Sequence, residues 1–377
     1  MTDWPTKTFG ELFDSKPKNS GPLKQKDYLP SGKFPVVDQG QELIGGFTND
    51  QHLVRDFETP VIVFGDHTRC VKYIDFPFAS GADGTKILVP RKGVDPKYAY
   101  FQLLSIELPT KGYARHFAEL SKHSFVLPPL AEQKRIVELL DAATERVTEL
   151  TACYEQARTH ANNLFTSALR EALDSNPGWP IKTLGEVCQI EMGRTPSRGE
   201  STGWDKELKT SNHWASIADL TACRGRVLSS TKERISDFAA RTTKVVPAGT
   251  LMMSFKLSIG KLAFAGCDLY TNEAIAAFHL PEQSDVDSEF LYWALKVVDW
   301  ASLTKGSEKV KGATMNKAKL NLLQIPVPPL EEQKRIVATL GAIEAKTSEM
   351  VAAYDAKLTA TKSLRQSILE AAFAGGL

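Results

Sequence analysis

Leu127-Pro-Pro-Leu-Ala-Glu-Gln-Lys-Arg-Ile-Val137 recurs 200 residues later as Val327-Pro-Pro-Leu-Glu-Glu-Gln-Lys-Arg-Ile-Val337, identical at nine of eleven positions. The register continues without a gap through Leu140 and Leu340, Ala142 and Ala342, Tyr154 and Tyr354, Leu164 and Leu364, Ser167 and Ser367, and Leu169 and Leu369. Proline lacks the amide hydrogen that a helix interior needs but suits the helix entry. Each Pro-Pro therefore marks a helix start, and Glu132 or Glu332 in the first turn complements the dipole. Behind the first start, Ile136, Leu140, Ala143, Val147, Leu150, Tyr154, Ala157, Ala161, Leu164 and Ala168 step by four and three. The second copy reads Ile336, Leu340, Ile343, Thr347, Met350, Tyr354, Lys357, Thr361, Leu364 and Ile368. One such seam suits an ordinary core helix. Two matching copies of roughly 40 residues, each about 60 Å long at 1.5 Å per residue, predict a coiled-coil spacer. Asp174-Ser-Asn-Pro-Gly178 ends the first helix with turn residues, and Gly375-Gly376 ends the second.

Two further repeats flank this one. Trp4-Pro-Thr-Lys-Thr-Phe-Gly-Glu11 matches Trp179-Pro-Ile-Lys-Thr-Leu-Gly-Glu186 at an offset of 175. More faintly, Val94-Asp-Pro-Lys-Tyr-Ala-Tyr-Phe-Gln-Leu103 matches Val286-Asp-Ser-Glu-Phe-Leu-Tyr-Trp-Ala-Leu295. A changing offset means that the stretch between matches is longer in the second copy. The chain is thus a tandem duplication whose unit ends are alike and whose middles differ. The middles look mixed α/β. Strand candidates are Val61-Ile-Val-Phe64, Lys86-Ile-Leu-Val89, Thr250-Leu-Met-Met-Ser-Phe255 and Ala274-Ile-Ala-Ala-Phe-His-Leu280, each bounded by turn residues. Short helices are expected over Pro96 to Glu107 and Asp287 to Leu303, with polar loops at Asp14 to Gly32 and Gly193 to Asn212.

At 377 residues the chain exceeds one ordinary domain. Its 42% apolar and 24% charged residues exclude disorder. No apolar run approaches the roughly 20 residues that span a bilayer, and Met1-Thr-Asp-Trp-Pro-Thr-Lys7 lacks the basic and apolar segments of a secretory signal. A cytoplasmic location is expected. Five scattered cysteines without a C-x-x-C pair argue against a disulfide framework or a zinc site. The net charge of +1 does not discriminate among partners, but residues 194–261 hold 12 basic against 6 acidic side chains, so a local basic face is expected there.

Catalytic motifs are missing from the sequence. Gly260-Lys261 lacks the glycine spacing and the following Ser or Thr of a P-loop. No glycine fingerprint follows a strand to bind a dinucleotide or S-adenosylmethionine, and no Asn-Pro-Pro-aromatic tetrapeptide of amino-methyltransferases occurs. Glu207-Leu-Lys209 fits the tail of a nuclease motif without its preceding Pro-Asp, and Glu344-Ala-Lys346 falls on the second helix and reads as solvated surface. The seven histidines are spread without ligand spacing.

Polar, basic loops remain. In the first unit they are Lys16-Pro-Lys18, Lys24-Gln-Lys26 and Gly65-Asp-His-Thr-Arg69, which presents His67 and Arg69. In the second they are Gly193-Arg-Thr-Pro-Ser-Arg198, Ser211-Asn-His-Trp214, Lys256-Leu-Ser-Ile-Gly-Lys261 and Lys309-Val-Lys-Gly-Ala-Thr-Met-Asn-Lys317. Any one of them alone is an ordinary solvated turn. Together they are expected to form two nucleic-acid faces, one per unit: Lys16, Lys18, Lys24, Lys26, His67 and Arg69 in the first, and Arg194, Thr195, Ser197, Arg198, Asn212, Trp214, Lys256, Ser258, Lys261, Lys309, Lys311, Asn316 and Lys317 in the second. These are side chains of the types that contact base edges and anchor phosphates. Lys309 and Lys311 suit phosphate, whereas Arg194 and Arg198, held by Pro196, suit guanine edges.

Pro-Pro-Leu-x-Glu-Gln-Lys-Arg-Ile at 128–136 and 328–336, with Trp-Pro-x-Lys-Thr-x-Gly-Glu opening each variable unit, resembles the DNA-specificity subunit of type I restriction-modification systems. Gly193-Arg-Thr-Pro-Ser197 and Asn321-Leu-Leu-Gln-Ile-Pro326 are also similar to family members, while the first unit has no Gly-x-Thr-Pro at the equivalent place. The resemblance implies an α+β chain with a pseudo-twofold internal repeat. Two mixed α/β target recognition domains, residues 1–129 and 176–329, would be separated by a long antiparallel two-helix coiled coil. Its parts would be a central spacer helix at 130–175 and a C-terminal one at 330–377. The family's role implies a non-catalytic subunit that reads a bipartite, asymmetric double-stranded DNA target. It recruits two modification subunits that use S-adenosylmethionine, and two restriction subunits that use ATP and Mg. A coiled-coil protein–protein adaptor without DNA binding is the alternative, and a cryptic metal-dependent nuclease a third reading.

Overall fold

A computed structural model describes residues 4–15, 21–58, 60–81, 84–109, 114–174, 178–199, 201–304, 308–309, 312–313 and 315–374. The chain divides into two compact units, residues 1–157 with 353–377, and residues 158–352.

Unit 1 runs β1 (Thr6–Thr8), α1 (Phe9–Leu12), β2 (Phe13–Asp14), β3 (Phe34–Val37), β4 (Gly46–Thr48), β5 (Val54–Arg55), β6 (Val61–Gly65), β7 (Val71–Ile74), β8 (Phe78–Ser80), β9 (Thr85–Pro90), α2 (Pro96–Ser105), α3 (Phe117–Leu120) and β10 (Ser124–Val126), followed by the start of α4 (Leu130–Asp174). Its strands form sheets of order β2-β9-β6-β7 and β4-β3-β8-β5, with β1 paired to β10. Val61 to Phe64 are buried on both faces because Ile62 and Phe64 join one core while Val61 and Val63 join another, which also holds Val37, Ile74 and Phe78.

Unit 2 repeats the plan. It contains the end of α4, then β11 (Ile181–Thr183), α5 (Leu184–Val187), β12 (Gln189–Met192), β13 (His213–Ala215), α6 (Ile217–Ala222), β14 (Val227–Leu228), β15 (Glu233–Arg234), α7 (Asp237–Ala240), β16 (Leu251–Ser254), β17 (Leu262–Ala265), β18 (Tyr270–Thr271), β19 (Ile275–His279), α8 (Ser288–Lys296), α9 (Trp300–Thr304), β20 (Glu308–Lys309), β21 (Gly312–Ala313), α10 (Lys317–Asn321) and β22 (Gln324–Pro326), and the start of α11 (Leu330–Phe373). Sheet orders are β12-β19-β16-β17-β14 and β15-β13-β18, with β11 paired to β22 and β20 to β21.

The repeated sequence motifs meet physically in each unit. In the Trp-Pro-x-Lys-Thr-x-Gly-Glu stretch, Thr8 donates its amide and its hydroxyl to Glu11, both at 2.8 Å, and Thr183 does the same to Glu186 at 2.6 and 2.7 Å. These are reciprocal helix caps. They sit beside strands that pair Lys7 with Phe125 and Lys182 with Ile325, so each unit is closed just before its Pro-Pro. The glutamine of Glu-Gln-Lys-Arg is fully buried in both copies. Gln133 accepts from the Asp95 amide at 2.8 Å and donates to the carbonyls of Gly93 and Pro128; Gln333 accepts from the Asp287 amide at 2.8 Å and donates to Asp285 and Pro328. Asp95 and Asp287 in turn cap α2 and α8. One buried amide thus ties the long helix to the Val-Asp motif, and leaving its partners unsatisfied costs about 1–3 kcal/mol.

The long helices pair antiparallel within each unit. In unit 1, Ile136 and Leu140 pack on Leu369 and Ala372, Tyr154 meets Tyr354 with ring centres 6.3 Å apart, and the Thr151 hydroxyl donates to Thr361 at 3.4 Å. Trp4 joins that cluster beside Ile368 and Phe373. In unit 2, Ile336 and Leu340 pack with Leu169 and Leu173, and Trp179 joins them. The seam departs from the predicted one beyond Val147. Leu150, Leu164 and Leu364 are exposed at 41%, 57% and 46%, and Lys357 is also exposed, whereas Thr151, Phe165, Leu169 and Leu358 turn inward. A strict alternation of four and three has a period near 3.5, whereas a straight helix keeps 3.6 and drifts off it by about 20° per heptad. Lys357 instead lays its ammonium 5.2 Å from the Tyr154 ring centre.

Glu344 also differs from its expected place on solvated surface. It accepts from Arg226 at 2.6 and 3.0 Å and from Lys296 at 2.7 Å, while Arg226 also donates to Glu289 at 2.9 Å and lies 4.2 Å from the Trp293 ring centre. Burial pushes the Glu344 carboxyl up, but the Lys296 and Arg226 hydrogen bonds outweigh it and hold the group below its usual range. The four predicted strands are present, whereas the helices are shorter than expected: α2 stops at Ser105, and α8 stops at Lys296 before a separate α9.

Candidate nucleic-acid interface

In unit 2 the ladder fixes where the loops emerge. Met192 at the end of β12 pairs with Ala276 of β19, and Ser254 at the end of β16 pairs with Ile275 at the start of β19. Three connections, 193–198, 255–261 and 272–274, therefore leave the same end of one sheet. They are braced together. The Arg194 amide donates to the Thr271 carbonyl at 2.8 Å, and the Thr195 hydroxyl donates to the Glu273 carboxylate. That bond, aided by nearby Lys256, holds the Glu273 carboxyl below the usual range. Only glycine fits at 193, because a Cβ there would lie 1.9 Å from the Thr271 carbonyl oxygen.

Within the 255–261 turn, the Ser254 hydroxyl donates to the Ser258 carbonyl and accepts from the Lys261 amide at 3.1 Å, while Leu257 at φ 64° and Gly260 at φ 83° reverse the chain. Lys261 and Ser258 are exposed, and the Lys256 ammonium lies 5.3 Å from the Phe255 ring centre. The Met315 amide donates to the Phe255 carbonyl at 3.1 Å, which brings Asn316 and Lys317 to the same end. Asn316 caps α10 by accepting from the Lys319 amide at 2.8 Å, so its side chain is committed to the helix. Lys317 stays exposed. Lys309 is placed by its backbone on β20, and Lys311 lies outside the described residues.

A second group sits on the three-stranded sheet. The Arg198 guanidinium makes a bidentate pair with Glu233 at 2.5 and 3.0 Å and lies 3.9 Å from the Trp204 ring centre. Trp214, expected at the surface, is 2% exposed: it meets Trp204 edge-on at 4.9 Å and donates its indole N–H to the Arg194 carbonyl at 3.1 Å. It is a floor under the loop and offers no surface to a ligand. Asn212 donates to Asp237 at 2.7 Å, and the Ser197 carbonyl accepts from Trp204 at 3.1 Å. Arg194 is exposed and pairs with no acidic side chain among the described residues. Lys206, Lys232 and Arg234, which the loop motifs did not single out, line a cavity with Arg198 and Glu233. Their basic character is visible in the sequence only as the excess over 194–261.

Unit 1 presents the corresponding end of its own sheet. Gly65 at the end of β6 pairs with Thr85 at the start of β9, and the 66–70 turn occupies the place that 255–261 takes in unit 2. Asp66 accepts at its backbone from His116 and at its carboxylate from Phe117, both at 2.8 Å, and its amide donates to Gly84 at 2.7 Å. Arg69, at φ 63°, donates to the Leu108 carbonyl at 2.9 Å. His67 is half-buried and donates its amide to the Gln39 side chain at 3.1 Å. Lys24 precedes and Lys26 lies within a short exposed turn, Gln25–Asp27, next to Leu23, whose amide donates to the Ser80 carbonyl at 2.9 Å. Lys16 and Lys18 lie outside the described residues. Among the described residues no cluster of three or more His, Cys, Asp or Glu could hold a metal ion, and no helix is long and apolar enough to cross a membrane.

Comparison with known proteins agrees with this duplicated plan. The family described as type I restriction modification DNA specificity domain matches residues 1–157 and again 176–360. The EcoR124I/EcoR124II specificity subunit of a type I restriction enzyme from Escherichia coli is 27% identical over 363 residues, covering 90% of this chain and 87% of that protein. Two solved structures share the fold. One is a chain from a type I R-M system whose assembly and conformational transition were studied, with TM-score 0.75, 23% identity and coverage of 100% of this chain and 99% of that one. The other is the HsdS subunit of Thermoanaerobacter tengcongensis, with TM-score 0.56, 23% identity and coverage of 100% and 98%. The chain belongs to the type I restriction-modification DNA specificity family.

Proposed function

We propose that the chain is the sequence-reading subunit of a type I restriction-modification complex, with each unit reading one half of a bipartite, asymmetric double-stranded DNA target. The observation that carries this is the pair of equivalent sheet ends. Both present a braced turn between equivalent strands, yet the side chains differ: His67 and Arg69 in unit 1, and Arg194, Lys256, Lys261 and Lys317 in unit 2. A shared frame carrying different side chains is what two different half-sites require. The duplicated helices supply the surface for two modification subunits, which bring S-adenosylmethionine, and two restriction subunits bring ATP and Mg. This chain's own residues orient and select the DNA and do no bond chemistry.

The test is binding of the full chain to duplex DNA at moderate salt, followed by methylome sequencing of cells that express it with its cognate modification subunit. An interrupted two-part methylated motif supports the reading. A chain that binds protein partners but no DNA is the adaptor instead, and metal-dependent cleavage by the chain alone makes it a nuclease.

A further inference from the structure

Lys72 breaks the pattern of its strand. On β7 the side chains of Lys72 and Ile74 face the core shared with Val61, Val63 and Val37, and Lys72 is 5% exposed. The equivalent position in unit 2, read from the ladders that pair Val63 with Lys72 and Met252 with Ala263, is an alanine buried in an apolar core. The scaffold itself therefore does not need a cation here. A buried ammonium is costly unless every proton finds an acceptor, and burial pulls this one below the usual lysine range while Asp38 opposes the shift. Its partners are all in one loop: it donates to the Asp38 carbonyl at 2.8 Å and to the Glu42 carbonyl, and forms an ion pair with the Asp38 carboxylate at 3.7 Å.

Between those two residues lies Gln39, which holds the 66–70 turn from below. Its backbone carbonyl accepts from the Thr68 hydroxyl at 2.5 Å, and its side-chain oxygen accepts from the His67 amide at 3.1 Å. The room for this arm is built in. A Cβ at Gly65 would lie 2.1 Å from the Thr68 hydroxyl and 3.0 Å from Gln39, and one at Gly84 would lie 2.7 Å from the Gln39 side-chain oxygen. In unit 2 the chain leaves the equivalent strand into a helix, α6, capped by Ser216. Unit 1 has a non-helical loop at this point, so the lysine replaces the helix as its support.

We propose that Lys72 is the positioning residue for base reading by unit 1, acting through the Asp38–Glu42 loop and Gln39 on the turn that carries His67 and Arg69. The inference rests on the DNA-reading function proposed above. It is tested by selecting targets from a randomised duplex library with the full chain and its Lys72→Met, Gln39→Ala and Arg194→Ala variants, each checked for its thermal midpoint. Lys72→Met and Gln39→Ala relax base preference in one and the same half of the motif and weaken binding to the wild-type target about tenfold, the scale of a single base contact. Arg194→Ala relaxes the other half. If Lys72→Met fails to fold, Lys72→Gln takes its place in the comparison, because Gln39→Ala leaves the cation and its acceptors intact and by itself tests only the Gln39 arm. A wild-type motif that both folded variants keep unchanged, or a relaxation spread over both halves, overturns the inference. A wild type that selects no motif overturns the DNA-reading function itself.

Discussion

On the proposed DNA-reading function, Arg194 is assigned to base contact and Lys261 to phosphate contact. Arg194 is exposed at the start of a loop, where its own amide is bonded to Thr271, with glycine before it and the Trp214 indole bonded to its carbonyl. Arg194→Ala should cost about 1–3 kcal/mol at one base pair of the target and leave the other half untouched, as measured by binding to single-substitution duplexes. Lys261→Ala should weaken all sequences alike and lower the slope of log affinity against log salt by roughly 0.9, the value for one phosphate left unneutralised. Loop sequence alone distinguishes these cations poorly from Arg198, because nothing in Gly-Arg-Thr-Pro-Ser-Arg tells that Glu233, 35 positions away, takes both guanidinium nitrogens. Trp214 is similar: an aromatic in a polar stretch reads as a contact until the sheet places it inside.

The long helices are legible as partners from two matching seams, and their starts from proline and acidic residues, whereas in the sequence their antiparallel direction follows only from the family resemblance. Their phase is less legible. A heptad pattern puts Leu150 inside and Thr151 outside, whereas Leu150 is 41% exposed and Thr151 bonds across to Thr361. Leu140→Asp should therefore destabilise by several kcal/mol, because it leaves a charge at a position that is fully buried. Leu150→Asp should cost less than about 1 kcal/mol. Urea unfolding of the two variants checks the phase, and equal losses would contradict it. The Arg226–Glu344–Lys296 cluster ties α11 to α8 in the same unit. Since the folded Glu344 carboxyl sits below its ordinary value of 4.5, its contribution is fully present above that pH and is lost as pH falls through the lower folded value. Glu344→Gln should lower stability at pH 7 by about 1–3 kcal/mol, and the difference from wild type should shrink on acidification. Sequence pattern places Glu344 on the surface because its partners come from 118 and 48 residues away.

For the whole chain, the duplication is readable because its motifs recur as strings, and the structure supplies their physical reason. Gln133 and Gln333 are buried knots joining the helix start to the capped helix that precedes it. The variable parts are not readable in the same way, since the shared sheet end is a matter of strand register, which no motif encodes. On the proposed function, two equivalent ends with different side chains read two different half-sites. The most direct test is the methylated motif produced by the wild type and by a chain in which residues 1–129 and 176–329 are exchanged, each expressed with the cognate modification subunit. The expected result is an interrupted motif of two unlike halves in the wild type, and the same halves in swapped order after the exchange. A continuous motif, or an active exchanged chain that keeps the wild-type order, would contradict it.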